Sequence, residues 1–465
     1  MKRIIIPIVG QGSITHVIRA GILEGIKQFC KPIVVFLWNQ EDLIKELQQK
    51  GYETYCMPAY SASERYSMLR SKINIWYYKY VLKTPSTKIK DNFNSIYYSP
   101  KKKLKKKIFV FTEQLKFFFL NGYKKKLLNE EKETYRNEKA YKEYKKWLEK
   151  LDADGLYTVT PFLQEIELIA RLCKEKNLPV IASIHSFDNI TKRAWPAIFF
   201  DHYIVWNKYN KSELQRINPS FSDNNITIAG APQFDFHFNL YNLKTKAQWF
   251  ESMGIKENKK IILYGGGAAN LFWDEPQYLK DLHDAVKEGL FQEDVVILFR
   301  SHPLDTTERW KKCAGESQYI VYDEGNSNIS KSTKLDHKNV TVKDVEKLIC
   351  ILKYTDVHIN FCSTMTVDGS VFNKPQIGPA YHTNRHTQKY VAQFYNQEHF
   401  TPILKSNAIH LVHSKEEFIH LAKESLQEPE KFNSNCKECV EEIITYTDGK
   451  SAQRVINILK AFFSL

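Results

Sequence analysis

The sequence predicts an α/β protein with two parallel-sheet domains, the first interrupted by a basic, aromatic-rich helical insertion. Short β-rich runs alternate with helical stretches over residues 1–235, and the same alternation recurs from 259. Between the early and late strands of the first series, residues 65–126 hold 17 basic and 2 acidic side chains, so the other residues of this +14 chain sum to about neutrality. At 465 residues, 43% apolar and 26% charged, the chain can bury two to three cores, which excludes disorder as the default.

Residues 4–9 read as a first strand ended by Gly10, followed by a helix over 16–29, a strand over 33–38 and a helix over 41–50. The alternation stops near 60 and resumes with strands at 156–159, 180–185, 203–206 and 226–229, with a helix over 163–175 after the first of these. Residues 65–150 are therefore an insertion within domain 1–235. A polar stretch, 236–258, reads as a linker. Strands at 261–264, 295–299, 319–322, 357–361 and 376–377 build a second domain over 259–447, and 448–465 is predicted to return to the first as a terminal helix.

No apolar run reaches the ~18 residues that span a bilayer, and the opening run is broken at Gly10, as suits a strand rather than a signal peptide. Eight cysteines without disulfide-like spacing point to a reducing, cytoplasmic setting. Cys436 and Cys439 form one CxxC without the second pair a closed zinc site needs. In the insertion, Lys101, Lys102, Lys103, Lys105, Lys106 and Lys107 precede Phe109, Phe111 and Phe117–Phe119. Such interleaving suits a peripheral position on an anionic membrane surface, with rings at the acyl boundary. The alternative is a solvated helical hairpin whose aromatics pack on the domain. Nucleic acid is disfavoured, because no binding module accompanies the stacking residues.

Gly10, Gly12 and Ser13 form a loop after the first strand that lets backbone approach a ligand, and His16 at its mouth suits a general base. His16 could equally cap or pack on the helix. After the strand at 180–185 come His185, Asp188, Asn189 and Lys192, where open α/β sheets bind ligands. His185 and Asp188 could pair, either could take a proton from a hydroxyl, or Asp188 could cap the next helix. In the second domain three strand ends carry small or polar residues: Gly265, Gly266 and Gly267; Arg300, Ser301, His302 and Pro303; Ser363 and Thr364. Together they predict a pocket for a nucleotide diphosphate, with Asp368 on the adjoining helix. No metal site is expected. Asp152 and Asp154 sit at the wrong end of a strand, and His382 and His386 lie four apart without a nearby carboxylate, as at the start of a surface helix.

Several of these stretches carry a resemblance: Ser-Phe-Asp-Asn-Ile-Thr-Lys at 186–192, Val-Trp-Asn at 205–207, Gly-Ala-Pro-Gln-Phe-Asp at 230–235, Arg-Ser-His-Pro-Leu-Asp at 300–305 and Ser-Thr-Met-Thr-Val-Asp at 363–368. They resemble signatures of bacterial surface-polysaccharide glycosyltransferases of the GT-B fold. The ending Asp-Gly-Lys-Ser-Ala-Gln-Arg at 448–454 is similar too, and recurs in the related glycerophosphotransferases that build teichoic-acid chains. The resemblance covers about 1–60 and 151–465. It implies two facing Rossmann-like domains, the acceptor in the N-terminal one, a nucleotide-activated donor in the C-terminal one, and no obligatory metal or cofactor. The loop 10–16 is also similar to the glycine-rich, histidine-ending loop of lipid-linked N-acetylglucosaminyl transferases and plant glucosyltransferases. It lacks their Gly-Gly-His run or proline, which keeps Asp188 as the alternative base.

The expected activity is sugar transfer from a nucleotide-sugar co-substrate to a saccharide or lipid-linked acceptor. His16 or Asp188 would deprotonate the acceptor, with Gly10, Gly12, Ser13, His185, Asn189 and Lys192 on the acceptor side. Ser363, Thr364, Arg300 and His302 would stabilise the leaving diphosphate. The helix after 364 offers Asp368 where retaining relatives carry a glutamate pair, which favours inversion. Glycerophosphoryl transfer, nucleotide-sugar epimerisation and non-catalytic binding are the alternatives.

Overall fold

The computed structural model describes residues 1–89, 98–239, 243–269, 271–302, 305–323 and 339–464. The chain divides into two compact units, residues 1–233 with 450–465, and residues 234–449. Each is an α/β sandwich around a parallel sheet.

Unit 1 contains β1 (Arg3–Ile8), β2 (Lys31–Phe36), β3 (Glu53–Cys56), β4 (Gly155–Thr158), β5 (Val180–Ser183), β6 (His202–Val205) and β7 (Ile226–Ile228). They lie in the order β3-β2-β1-β4-β5-β6-β7, every described neighbour pair parallel. Ile4, Ile5, Ile6, Ile33, Val34, Val180 and Ile181 are fully buried, as expected of central strands covered on both faces. The sequence reading missed β3, a half-exposed strand at the sheet edge whose residues make no apolar run. The order reverses between β1 and β4, the position at which open parallel sheets hold ligands beyond their carboxyl ends.

The helix predicted over 16–29 starts earlier and is broken. Gln11–Ser13 is followed by a π-helical turn, Ile14–Arg19; Gly21 then takes φ 79°, a left-handed conformation that favours glycine, and the helix resumes over Ile22–Lys27. The final helix, Ser451–Ser464, packs in unit 1, with Ile456 against Gly25 and Phe463 against Gly155.

The insertion is helical among its described residues: Glu64–Tyr77, a π-helical Tyr78–Leu82, Pro100–Phe119, Tyr123–Asn137 and Lys139–Leu151. A buried reciprocal ion-pair network fastens it to the helix Gln164–Glu175. Arg70 of the insertion reaches Glu167 (2.5 and 3.0 Å), and Glu131 of the insertion accepts from Arg171 (2.6 and 3.1 Å) and Tyr66 (2.7 Å).

Unit 2 contains β8 (Lys260–Gly265), β9 (Val295–Arg300), β10 (Ile320–Asp323), β11 (Val357–Asn360), β12 (Gln376–Pro379) and β13 (His410–Val412), all parallel in the order β10-β9-β8-β11-β12-β13. The three-residue edge strand β13 also escaped the sequence reading. The stretch 236–258 is more than a linker: its helix Lys246–Met253, capped by Thr245, buries Trp249 and Phe250 in the unit 2 core. The sheet order of unit 2 reverses between β8 and β11.

Candidate active site

At the reversal point of unit 1, Ser13 shapes the loop after β1. Its hydroxyl accepts from the Val9 and Gly10 amides (2.9 and 3.1 Å) and donates to the Gly10 carbonyl (2.7 Å). Ser13 is thereby a buried turn-former rather than a group open to an acceptor. The π-helical turn that follows widens the helix and directs His16 inward, to 1% exposure.

The His16 ring meets Gln233, which the sequence shows as part of the signature at 230–235 but without a site role. Gln233, in the segment after β7, donates from Nε2 to the His185 carbonyl (2.8 Å), so its Oε1 faces His16 Nδ1 at 3.2 Å. That orientation makes Nδ1 the protonated nitrogen and leaves the lone pair on Nε2. His16 Nε2 is buried with no hydrogen-bond partner. Burial is the main cause that pushes the His16 pKa down to about 3, with the neighbouring His185 adding to it. The ring is therefore neutral at physiological pH.

His185 and Asp188 act on each other electrostatically, while each is also bonded to other groups. His185 Nδ1 lies 3.0 Å from the Val159 carbonyl, and burial lowers its pKa. Asp188 accepts from Ser186 (2.6 Å) and Lys192. Asn189 is buried and bridges the Ser186 carbonyl and Arg193. The His185 ring also sets the need for glycine at position 12, since a Cβ there would lie 3.0 Å from its Cδ2. Gly12→Ala should press the ring against the loop and displace His185 and Gln233. The expected outcome is turnover lowered more than Tm, checked by kinetics beside a thermal melt.

In unit 2 the three strand ends are neighbours in register: Asn360 pairs with Gly265, Gly265 with Arg300, and Arg300 with Asp323. Ser363 Oγ accepts from the Met365 amide (3.2 Å), and Asn360 Oδ1 accepts from Ser363 N (3.2 Å) and Thr366 (2.9 Å). Thr364 is exposed at the start of the helix Met365–Val371. Gly266 N donates to the Arg300 carbonyl (2.9 Å). His302 is half-buried with its pKa lowered by burial; Pro303 and Leu304 lie outside the described residues.

Three residues expected on the donor have protein partners instead. The Arg300 guanidinium pairs with Asp323 (2.6 Å), a buried carboxylate that also takes Lys347 (2.6 Å). Asp368 accepts from His237 Nε2 (2.9 Å), whose ring stacks on Phe234. The Gly267 amide is 3.0 Å from each oxygen of the fully buried Glu275, and Arg309 donates to the Gly267 carbonyl (2.8 Å). No local pattern marks these partners, because Glu275, Asp323 and His237 meet the predicted residues only through tertiary structure.

Burial pushes the Glu275 pKa up to about 8. Between its usual 4.5 and about 8 the unfolded chain gives up a proton that the folded one keeps, so this group lowers stability as pH rises through that window. Glu275→Gln should flatten the fall of Tm between pH ~5 and ~8. Glu275→Ala should cost about 1–3 kcal/mol by leaving the Gly267 amide unpaired. Thermal melts across pH check both.

Elsewhere, Asp154 accepts from Arg3 N (2.7 Å) at the amino end of β4. Cys436 and Cys439 are buried in the helix Cys436–Ile444. His386 does meet a carboxylate, Asp274, at 3.5 Å, brought from a distant part of the sequence. Among the described residues no cluster of His, Cys, Asp and Glu is arranged to hold a metal ion.

A family profile described as CDP-glycerol:poly(glycerophosphate) glycerophosphotransferase matches residues 182–461, more than half of the chain. The chain belongs to that family. The match opens within β5 and takes in Gln233 and the whole of unit 2, while His16 lies before it. A comparison with curated proteins finds no match.

Solved structures of similar fold include S. aureus MnaA with UDP (TM-score 0.56, 13% identity, covering 100% of this chain and 98% of that one). UDP-GlcNAc 2-epimerase from Neisseria meningitidis bound to UDP-GlcNAc is similar at TM-score 0.56 and 9% identity, covering 98% and 99%. The wall teichoic acid polymerase TagF gives 0.51 and 14%, covering 100% and 89%. At these identities the likeness shows the fold, two Rossmann-like domains of the GT-B class. With the family match, it places the chain in the superfamily of surface-polysaccharide glycosyltransferases and glycerophosphotransferases, and its activity is of the transferase type.

Proposed function

We propose that this protein moves a glycerophosphoryl-type group from a CDP-linked donor onto a hydroxyl of a surface-polymer acceptor, with His16 as general base. The observation that carries the base assignment is the tautomer fixed by Gln233, which leaves a neutral His16 with an unpartnered lone pair on Nε2. Burial keeps the free ring neutral with a pKa of about 3, so in this reading the bound acceptor reaches the buried Nε2 and raises its basicity toward neutrality as the proton is taken. The donor chemistry rests on the family's own description.

In this reading His16 Nε2 takes the acceptor hydroxyl proton as the oxygen forms a bond to the donor's β-phosphorus. The bond from that phosphorus to the bridging oxygen breaks, and CMP leaves with the electron pair. Unit 2 would hold the nucleotide: Ser363 and Thr364 follow β11 and His302 follows β9, the strands on either side of β8, while the Arg300–Asp323–Lys347 cluster supplies fixed charge. Asp188, tied to Lys192 and Ser186, is less suited to accept a proton. The eight free cysteines suit a reducing, cytoplasmic setting.

Sugar transfer from a nucleotide-sugar, inverting and without a metal, is the second reading, favoured by the fold shared with proteins solved with UDP and with UDP-GlcNAc. The two differ in the leaving group. Incubation with CDP-glycerol or with UDP-, GDP- and CDP-sugars in the presence of a polyol-phosphate or saccharide acceptor decides between them. CMP release from CDP-glycerol is the expected result, a nucleoside diphosphate released from a sugar donor would establish the second reading, and epimerised UDP-GlcNAc without any transfer would overturn both.

A further inference from the structure

The helix Pro100–Phe119 presents two different faces. On the inner one, Glu113 is 2% exposed and bonded to Lys116 and Tyr123 (2.6 Å each), and Phe117 packs at a tilt against Tyr123 beside the cluster of Leu69, Ile73 and Leu127. The outer face is apolar and uncovered. Leu104 is 60% exposed, Ile108 53%, Phe111 61%, Leu115 39% and Phe118 74%. At about 100° per residue these five side chains fall within an arc of about 80°. On the same scale Lys101 and Lys105 flank the arc on one side and Lys107 on the other, all three exposed.

We propose that this outer face docks on an anionic lipid bilayer, with the apolar stripe at the acyl boundary and the flanking lysines on lipid phosphates. Monomeric soluble surfaces rarely keep a continuous stripe of large apolar side chains in water. The charge selects the occupant: basic side chains on both flanks match an acidic headgroup layer, which attracts juxtamembrane lysines at about a factor of five each. No helix among the described residues is long and apolar enough to cross a membrane, so the contact is interfacial. The support is firm, because the Arg70–Glu167 and Arg171–Glu131 pairs join the neighbouring insertion helices to unit 1. This narrows the membrane contact expected for 65–126 to one helix face and assigns Phe117 to packing, not lipid.

The test is co-sedimentation of the full chain with neutral phosphatidylcholine vesicles and with vesicles containing 30% phosphatidylglycerol (about a third of the lipid). Binding should need the anionic lipid and weaken as salt rises. Neutralising Lys101, Lys105 and Lys107 to Gln should weaken it by about 100-fold. L104S/F111S/F118S alters only exposed positions and should keep its Tm while losing the salt-resistant part of the binding. Phe117→Ser should instead lower Tm. Equal binding to neutral and anionic vesicles, or binding that the triple serine variant leaves intact, would overturn the proposal. So would a dimer in solution abolished by that variant, which would make the stripe an interface between copies. Transfer to a soluble acceptor is read in parallel and should be unchanged in both variants, so failure here is distinguishable from failure of the transferase reading.

Discussion

Replacing His16 by Ala should lower turnover by about 10²–10⁴, with nucleotide affinity nearly unchanged because the proposed donor groups belong to the other unit. Asp188→Ala should remain within a few-fold of wild type; the reverse pattern would transfer the role of base to Asp188. Gln233→Leu removes the acceptor that holds Nδ1–H and frees the wrong tautomer, so it should lower turnover while leaving the ring in place. With a pKa of about 3, His16 should contribute no protonation limb to the rate near pH 6.5. It does make stability depend on pH. Between about 6.5 and 3 the unfolded chain binds a proton that the folded chain refuses, so stability falls as pH drops, by about 1.4 kcal/mol per unit. His16→Gln should remove part of that slope in chemical denaturation at pH 4, 5 and 6.

Glu131→Ala should destabilise unit 1 by about 3–5 kcal/mol, since it strands the Arg171 guanidinium away from water on the Tyr135 ring. Tyr66 loses its acceptor in the same step. The double change Glu131→Leu with Arg171→Met removes both charges and should recover most of the loss, as buried ion pairs contribute little net stability over apolar replacements. Denaturant titration of the two variants separates a stranded charge from lost packing. Loss of the same size in both would mean that volume, not charge, secures the insertion.

The two-sheet architecture was legible because central parallel strands are continuous apolar runs, and Ile4–Ile6 or Ile261–Leu263 cannot be read otherwise. Edge strands β3 and β13 carry half-exposed residues and leave no such trace. The loop residues were found, but their partners were not. Ser13 and Gly12 sit near His16 in sequence, whereas Gln233 reaches the same ring from 217 positions away through the order of seven strands. The same holds for Glu275 under Gly267 and Asp323 under Arg300, carboxylates placed by tertiary structure where local spacing predicts free donors. The uncovered stripe was legible only as composition, since which aromatics face outward depends on helical phase against the neighbouring helices.

The return of residues 450–464 to unit 1 has a bearing on biogenesis. Gly25 and Gly155 wait for Ile456 and Phe463, side chains made hundreds of residues later, while unit 2 contains all of its own sequence by Gly449. On the ribosome, where domains fold as they emerge, unit 2 can reach its native state before the older unit 1 can close. Until its last helix arrives, unit 1 lacks the apolar side chains that cover Gly25 and Gly155.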